Sequence, residues 1–204
     1  MLASVGSPLS HRAVLGRDGM MDVYSLAIWS MWAIFALYWL VMAFGNKRII
    51  HRGSRIFQYA VVVAAYLVYR YAGHWRGGMQ SIPENTFIRV AGLVLCAAGL
   101  AITIWARRTL GRNWSGNPTI KEGHELIRTG PYRVVRHPIY TGLLVMFLGT
   151  GITAGRYMYF GLLGFVAVMF YIKLKIEESL MLRTFPLEYP EYKKTTKALV
   201  PFVI

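Results

Sequence analysis

The sequence predicts an all-α integral membrane protein with about five transmembrane helices, the last two forming a helical hairpin. Of the 204 residues 55% are hydrophobic and only 16% charged, with a mean hydropathy of +0.41, a balance that a soluble domain could not hold without large exposed apolar patches. The apolar residues also gather into five separate segments. The formal charge of +14 resides in the connections between those segments and not on one soluble face, which points to anionic membrane lipid as a partner and away from nucleic acid.

Residues 1–21 are polar and read as a loose N-terminal arm, and residues 22–106 read as three transmembrane helices with their connections. The apolar segments are 23–44, 57–71, 87–106, 139–154 and 157–172. The first and third meet the roughly 20 residues that an upright helix needs to cross a bilayer. The second is shorter, but Arg70 can carry its charge to the interface along its aliphatic stem. The fourth and fifth are joined by Gly155 and Arg156 in a tight hairpin, and the fifth is expected to continue as a helix through Lys173 to Phe185. No apolar h-region separate from the first span and no A-x-A site is present, so that span is expected to stay as an anchor. The single cysteine, Cys96, lies within the third segment and reads as a small buried hydrophobe, with no intramolecular disulfide and no thiolate metal site.

Lysine and arginine set the orientation. Residues 45–56 carry four, 107–138 carry seven and the tail from Lys173 carries six, so 17 of the 23 fall on one side if the spans alternate. By the positive-inside rule these regions are cytoplasmic and the N-terminus lies outside, as in a bacterial inner membrane.

The densest chemistry lies in HELIRTGPYRVVRHPIYTG, His124 to Gly142. Gly130-Pro131 predicts a turn, and Pro138 forces His137 out of helical geometry while suiting the first turn of a helix. Tyr132, Arg133, Arg136 and His137 are therefore held on a stiff loop where membrane meets water. From the residues alone two readings stand: a basic juxtamembrane loop meeting anionic headgroups, or a loop that presents donors and an aromatic face to a ligand.

GPYRVVRHPIYTG, with HELI before it and Glu177-Glu178, Phe185, Tyr189 and Tyr192 after it, resembles the isoprenylcysteine carboxyl methyltransferase family. LGRNWSG at Leu110 to Gly116 and ALVPF at Ala198 to Phe202 look like segments of its bacterial members, so the likeness covers roughly the C-terminal half. The resemblance implies an integral-membrane methyltransferase that uses S-adenosylmethionine, with residues 107–204 as the catalytic region, comprising a cytoplasmic cofactor-binding loop, the hairpin and a cytoplasmic tail. By motif, His124, Glu125, Leu126 and Ile127 match a segment that lines the cofactor partly through its backbone, and Tyr132, His137, Pro138, Ile139 and Tyr140 match the rest of the cradle. Asn117 falls where a further polar cofactor contact is implied. Glu177 matches a glutamate beside the substrate and reaction centre, Lys173 stands one turn earlier where family members commonly have arginine, and Arg136 joins them as a candidate catalytic residue. Pro186 replaces the usual glycine after Phe185, so the turn there should differ from the family pattern.

The chemistry suits these residue types. Methyl transfer from a sulfonium to a carboxylate is an in-line displacement by an already ionised nucleophile, so alignment matters more than a strong base, and aromatic faces attract the positive sulfur. Each residue also has a plainer reading. His137 could cap a helix start, Glu177 could form a surface i, i+4 pair with Lys173, and Tyr189 and Tyr192 could pack a tail helix on headgroups rather than close over a cofactor. His124 and His137, 13 apart without cysteine or a second spaced pair, predict no zinc site. Gly149-Thr150-Gly151 lies near the end of an apolar helix with no preceding strand, so a Rossmann fold is not expected. The expected acceptor is lipophilic, most simply an isoprenylcysteine or a related isoprenoid or lipid carboxylate. A phospholipid N-methyltransferase, a NADPH-dependent sterol reductase-like protein and a non-enzymatic membrane protein are the alternatives, and nothing in the sequence fixes an oligomeric state.

Overall fold

The computed structural model describes residues 22–43, 85–114 and 125–200. Among these the regular elements are helices: α1 is Val23–Ala43, α2 is Thr86–Leu110, α3 is Pro138–Ala154, α4 is Met158–Thr184 and the short α5 is Glu188–Thr195. Single 3-10 turns occupy Gly111–Asn113 and Gly130–Arg133. By length and composition α1, α2 and α4 suffice to cross a membrane, and α3, at 17 residues, is a shorter apolar helix. The second apolar segment, 57–71, lies outside the described residues.

The helix ends follow local chemistry. The Asp22 carboxylate accepts the Ser25 N–H at 2.8 Å to open α1, and Asn85 accepts the Phe87 N–H at 2.8 Å to open α2. Pro138 begins α3, where its missing N–H costs nothing. Gly155, at φ 64°, closes α3 and turns the chain into α4, as the hairpin reading requires. The fifth apolar segment does run on as helix, to Thr184, and so carries its polar end in one rigid rod with its apolar part.

Antiparallel α2 and α3 pack with their backbones almost touching. A Cβ placed on Gly149 would stand 2.5 Å from the Cys96 N and Gly92 O, and one on Gly99 would stand 2.5 Å from the Gly142 O. Gly92 and Gly99 on α2 thus face Gly149 and Gly142 on α3. In lipid, where apolar side chains gain little by leaving the solvent, such close van der Waals approach is the main source of helix affinity. Internal bonds absorb the polar atoms here: Thr103 donates to the Gly99 carbonyl at 2.7 Å, and the Trp32 indole of α1 donates to Thr150 at 3.1 Å.

At the other end of α2, Arg107 is 1% exposed. Its guanidinium donates to the Gly111 carbonyl at 2.6 Å and the Met42 carbonyl at 2.8 Å, and lies 4.5 Å from the Trp114 ring centroid. One side chain thereby ties the end of α1 to the turn that follows α2. Gly149→Val is expected to force α2 and α3 apart and cost about 1–3 kcal/mol, read as a lower melting temperature of the detergent-purified protein.

Candidate functional site

The loop between α2 and α3 is built from two pins. Gly130, at φ 58°, permits the turn into the 3-10 segment that buries Tyr132, and Pro138 starts α3. Between them Val135 pairs with Lys197 in an isolated parallel bridge. The Arg136 N–H donates to the Lys197 carbonyl at 2.8 Å, the His137 N–H to the Ala198 carbonyl at 3.0 Å, and the Thr141 hydroxyl to the Leu199 carbonyl at 2.6 Å. The Tyr192 hydroxyl of α5 donates to the Tyr132 carbonyl at 2.6 Å. The residues after α5 therefore staple the loop to the body of the protein.

Above the loop, α4 presents Phe170, Lys173, Glu177, Leu180 and Met181, whose spacing places them along one side of the helix. Together with the loop, α5 and the facing parts of α1 and α2, they enclose a cavity of about 440 Å³. That volume lies within the ~300–1,000 Å³ of small-molecule sites. Phe35 and Trp39 of α1, with Leu110 at the end of α2 and Asn113 and Trp114 after it, form a largely apolar part of its wall. The rest is charged and aromatic.

Glu177 is held at both oxygens. The Tyr140 hydroxyl donates to Oε1 at 2.6 Å, Lys173 Nζ lies 3.9 Å from the same oxygen, and His137 Nδ1 lies 3.6 Å from Oε2. The His137 and Tyr140 rings stack with centroids 5.5 Å apart, Phe170 stacks on the other side of Tyr140 at 4.8 Å, and Lys173 Nζ lies 5.3 Å from the Tyr140 centroid. Glu178 faces away from Glu177 into the protein and is 4% exposed. It accepts from Arg136 Nε at 2.8 Å and Lys193 Nζ at 2.8 Å, with His137 Nε2 at 3.7 Å. Arg136 also donates to the Thr196 carbonyl, so its guanidinium binds loop, α4 and the end of α5 together.

Burial alone would pull the His137 imidazole down, but the Glu177 and Glu178 carboxylates on its two sides outweigh that and hold it above its usual range. Burial pushes the Tyr132 phenol well above its usual range and Tyr192 up to about 12, so both stay protonated.

Of the residues singled out in the sequence, Glu125, Leu126, Ile127, Tyr132, Arg136, His137, Ile139, Tyr140, Lys173 and Glu177 all border this one cavity. Pro138 is buried at the start of α3. Asn117 and His124 lie outside the described residues. Tyr189 and Tyr192 are buried on the cavity wall, with the tail helix packed inward. Phe185 closes α4 in a non-helical conformation at φ −127° and leads through Pro186 into α5, without the positive φ that a glycine there would permit. Sequence reasoning missed the contributions of Phe35, Trp39, Asn113, Trp114 and Phe170, and the central place of Glu178. The adjacency of two glutamates past an apolar helix was the available signal for Glu178, since adjacent helical positions point about 100° apart and two carboxylates there must serve two surroundings.

Fold and site define an intramembrane protein whose ligand cavity is formed where its helices meet a stapled polar loop. The chain belongs to the phospholipid methyltransferase family, whose model matches residues 87–188. It is 30% identical over 125 residues to a probable protein-S-isoprenylcysteine O-methyltransferase of Oryza sativa subsp. indica, a match covering 60% of this chain and 65% of that protein. It is 30% identical over 153 residues to the nickel-cobalt-cadmium resistance protein NccN of Alcaligenes xylosoxydans xylosoxydans, covering 72% of this chain and 64% of that one. The match to the protein-S-isoprenylcysteine O-methyltransferase of Saccharomyces cerevisiae is 29% identical over 117 residues, covering 56% of this chain and 49% of that one. The chain thus spans less than two thirds of the length of these relatives. Among solved structures, the eukaryotic intramembrane Ras methyltransferase, an isoprenylcysteine carboxyl methyltransferase, superposes with a TM-score of 0.55 at 22% identity over 76% of this chain and 55% of that one, a likeness of fold.

The raised His137 pKa has a sign that can be checked. A group whose pKa is higher folded than unfolded adds stability that is complete below its unfolded value, ~6.5 for histidine, and is lost as pH rises through its folded value. The melting temperature in detergent should therefore fall as pH is raised from below about 6.5 into the alkaline range. His137→Gln should flatten that slope, and an unchanged slope in the variant would show that another group is responsible.

Proposed function

We propose that this protein is an S-adenosylmethionine-dependent methyltransferase of the membrane that methylates the carboxylate of a lipophilic acceptor, an isoprenylcysteine or a related isoprenoid or lipid acid. The observation that carries this reading is the placement of Glu177, clamped by Tyr140, His137 and Lys173, on the wall of a cavity that is otherwise largely aromatic and aliphatic. Residues 107–204 supply the reacting groups, and α1 adds part of the apolar wall.

The cavity fits the cofactor. His137 stacks on Tyr140 on the wall that the motif assigns to it, with its Nε2 directed at Glu178, 3.7 Å away, so that its ring is held in place for a ligand. Glu125, Leu126, Ile127, Tyr132, His137, Ile139 and Tyr140 would hold the cofactor, Pro138 would fix the loop behind them, and Asn117 and His124 would complete the set. When bound, S-adenosylmethionine supplies an electrophilic methyl group on a positively charged sulfur.

The chain's own part is alignment. Lys173 is the cation on the cavity wall able to draw in an acceptor carboxylate, and its ammonium, lacking the planar fork of arginine, fixes the approach less tightly. Glu177, with both oxygens occupied, is a fixed negative charge that orients Lys173 and the groups around the reacting centre. The stacked His137, Tyr140 and Phe170 rings give a polarisable face for positive charge. Arg136 acts at one remove, through Glu178. No proton need be removed from an ionised acceptor, so the absence of a free base beside Glu177 is no handicap. A phospholipid amine is the second reading, favoured by the family to which the chain belongs. It would ask Glu177 to take a proton, and the Tyr140 hydroxyl and the Lys173 and His137 groups that hold the carboxylate disfavour that step.

The distribution of lysine and arginine supports a bacterial inner membrane with the loop and the C-terminal tail on the cytoplasmic side, where a soluble cofactor is available. The deciding experiment is transfer of labelled methyl from S-adenosylmethionine to a panel of a prenylcysteine, a fatty acid and phosphatidylethanolamine. A base-labile methyl ester on the prenylcysteine is expected, and label confined to phosphatidylethanolamine would replace this reading with the amine one.

Glu177→Gln separates alignment from simple ion pairing. It should lower kcat by about tenfold or more while the dissociation constant for S-adenosylhomocysteine changes little. Full turnover in the Gln variant would reduce Glu177 to a structural partner of Lys173.

A further inference from the structure

We infer that Asn113 binds ligand: its side-chain oxygen accepts a hydrogen bond from an uncharged N–H group carried by a molecule in the cavity, an inference that rests on the methyltransferase reading and extends it to a residue given no role in the sequence. Asn113 ends the 3-10 turn after α2, at the aromatic part of the wall beside Trp114 and Trp39. Its Oδ1 is buried and has no hydrogen-bond partner among the described residues. Buried amide oxygens are normally paired, and an unpaired one on a cavity wall marks a place where a partner is missing.

The turn is also braced. Arg107, itself buried, donates to the Gly111 carbonyl at 2.6 Å and to the Met42 carbonyl at 2.8 Å, and the Trp114 N–H returns to the Gly111 carbonyl at 3.4 Å. Trp114 is packed edge-on against Trp39, with centroids 5.7 Å apart and planes at 90°. A turn tied to α1 and α2 in this way fixes the position of Asn113 before any ligand arrives.

The surroundings select the partner's chemistry. An acceptor oxygen calls for a donor. The Arg107 guanidinium behind Trp114 puts positive charge under this part of the wall and disfavours an ammonium ion. The flat faces of Trp39 and Trp114 suit a planar or apolar body. An uncharged N–H on such a body is found in two ligands of the proposed reaction: the exocyclic amine of adenine in the cofactor, and the amide N–H of an N-acylated prenylcysteine.

The test compares each ligand with a partner lacking only that donor, in the wild type, Asn113→Leu and Asn113→Asp. The cofactor arm is calorimetric titration with S-adenosylhomocysteine and with its 6-deamino purine analogue, in which hydrogen replaces the exocyclic amine. The acceptor arm measures binding of an N-acetyl prenylcysteine and of the S-prenyl thioacid without the amide. In one arm the Leu variant should bind the donor-bearing ligand about tenfold more weakly and its partner as the wild type does, with the Asp variant, which keeps an acceptor oxygen, largely restored. The responding arm identifies the source of the N–H. Equal weakening toward both members of each pair, or unchanged affinity in both arms, overturns the inference. If the Leu variant does not fold, the wild type alone decides, since equal affinity for both members of both pairs is incompatible with a bond from Asn113. Wild-type protein that binds neither S-adenosylhomocysteine nor a prenylated acceptor would instead overturn the methyltransferase reading beneath it.

Discussion

Glu178 is buried among Arg136, His137 and Lys193, and three separate pieces of the site reach their places through those contacts: the loop through Arg136 and His137, α5 through Lys193, and α4 through the glutamate itself. Removing one partner of a buried pair costs about 3–5 kcal/mol, because a charge is left without compensation. An exposed pair such as Arg128 and Glu188, at 3.2 Å on the outside of α5, is worth under about 1 kcal/mol. The fully buried pair is Arg136 with Glu178, and the tail helix depends on it because the same guanidinium reaches the Thr196 carbonyl, while Lys193 is half-exposed and adds less. The catalytic geometry proposed for Glu177 in turn needs α4 to stand in one rotational setting, with one glutamate toward the cavity and the next toward the loop.

The parts of this architecture that were legible in the sequence are those governed by local chemistry. Gly130, Pro131 and Pro138 pin the loop where their conformational preferences require, and Gly155 closes the hairpin. The apolar runs reveal helices by length and composition. The continuation of α4 past its apolar part followed from the shortness of the apolar run, which a longer helix extends. The loop and tail were brought to one site by resemblance, and the cavity unites all of the described members of that set on or just behind one wall.

What was not legible has a common physical origin. In a membrane the lipid-facing and protein-facing sides of a helix are both apolar, so periodicity gives no sign that Phe35 and Trp39 of α1 and Phe170 of α4 look inward. Glu178 finds Arg136 and Lys193 across long stretches of chain, and the pairing of Val135 with Lys197 spans three helices. Asn113 lay within LGRNWSG but drew no role from the sequence, because its interest lies in a bond it does not make. The second apolar segment, Asn117 and His124 lie outside the described residues and stand as sequence expectations.

The staple between the loop and residues 197–199 also bears on how the protein is assembled. The stretch from Val135 to Thr141 leads into the α3–α4 hairpin, yet its last hydrogen bonds are to carbonyls that follow α5. The hairpin must be inserted and the tail brought back to the same side before those donors are satisfied. The helices can be threaded into the bilayer in order, as each becomes available to the insertion machinery, but the cavity cannot be finished in that order. Its completion is a late, non-local step, of the kind that loop-closure entropy makes slow.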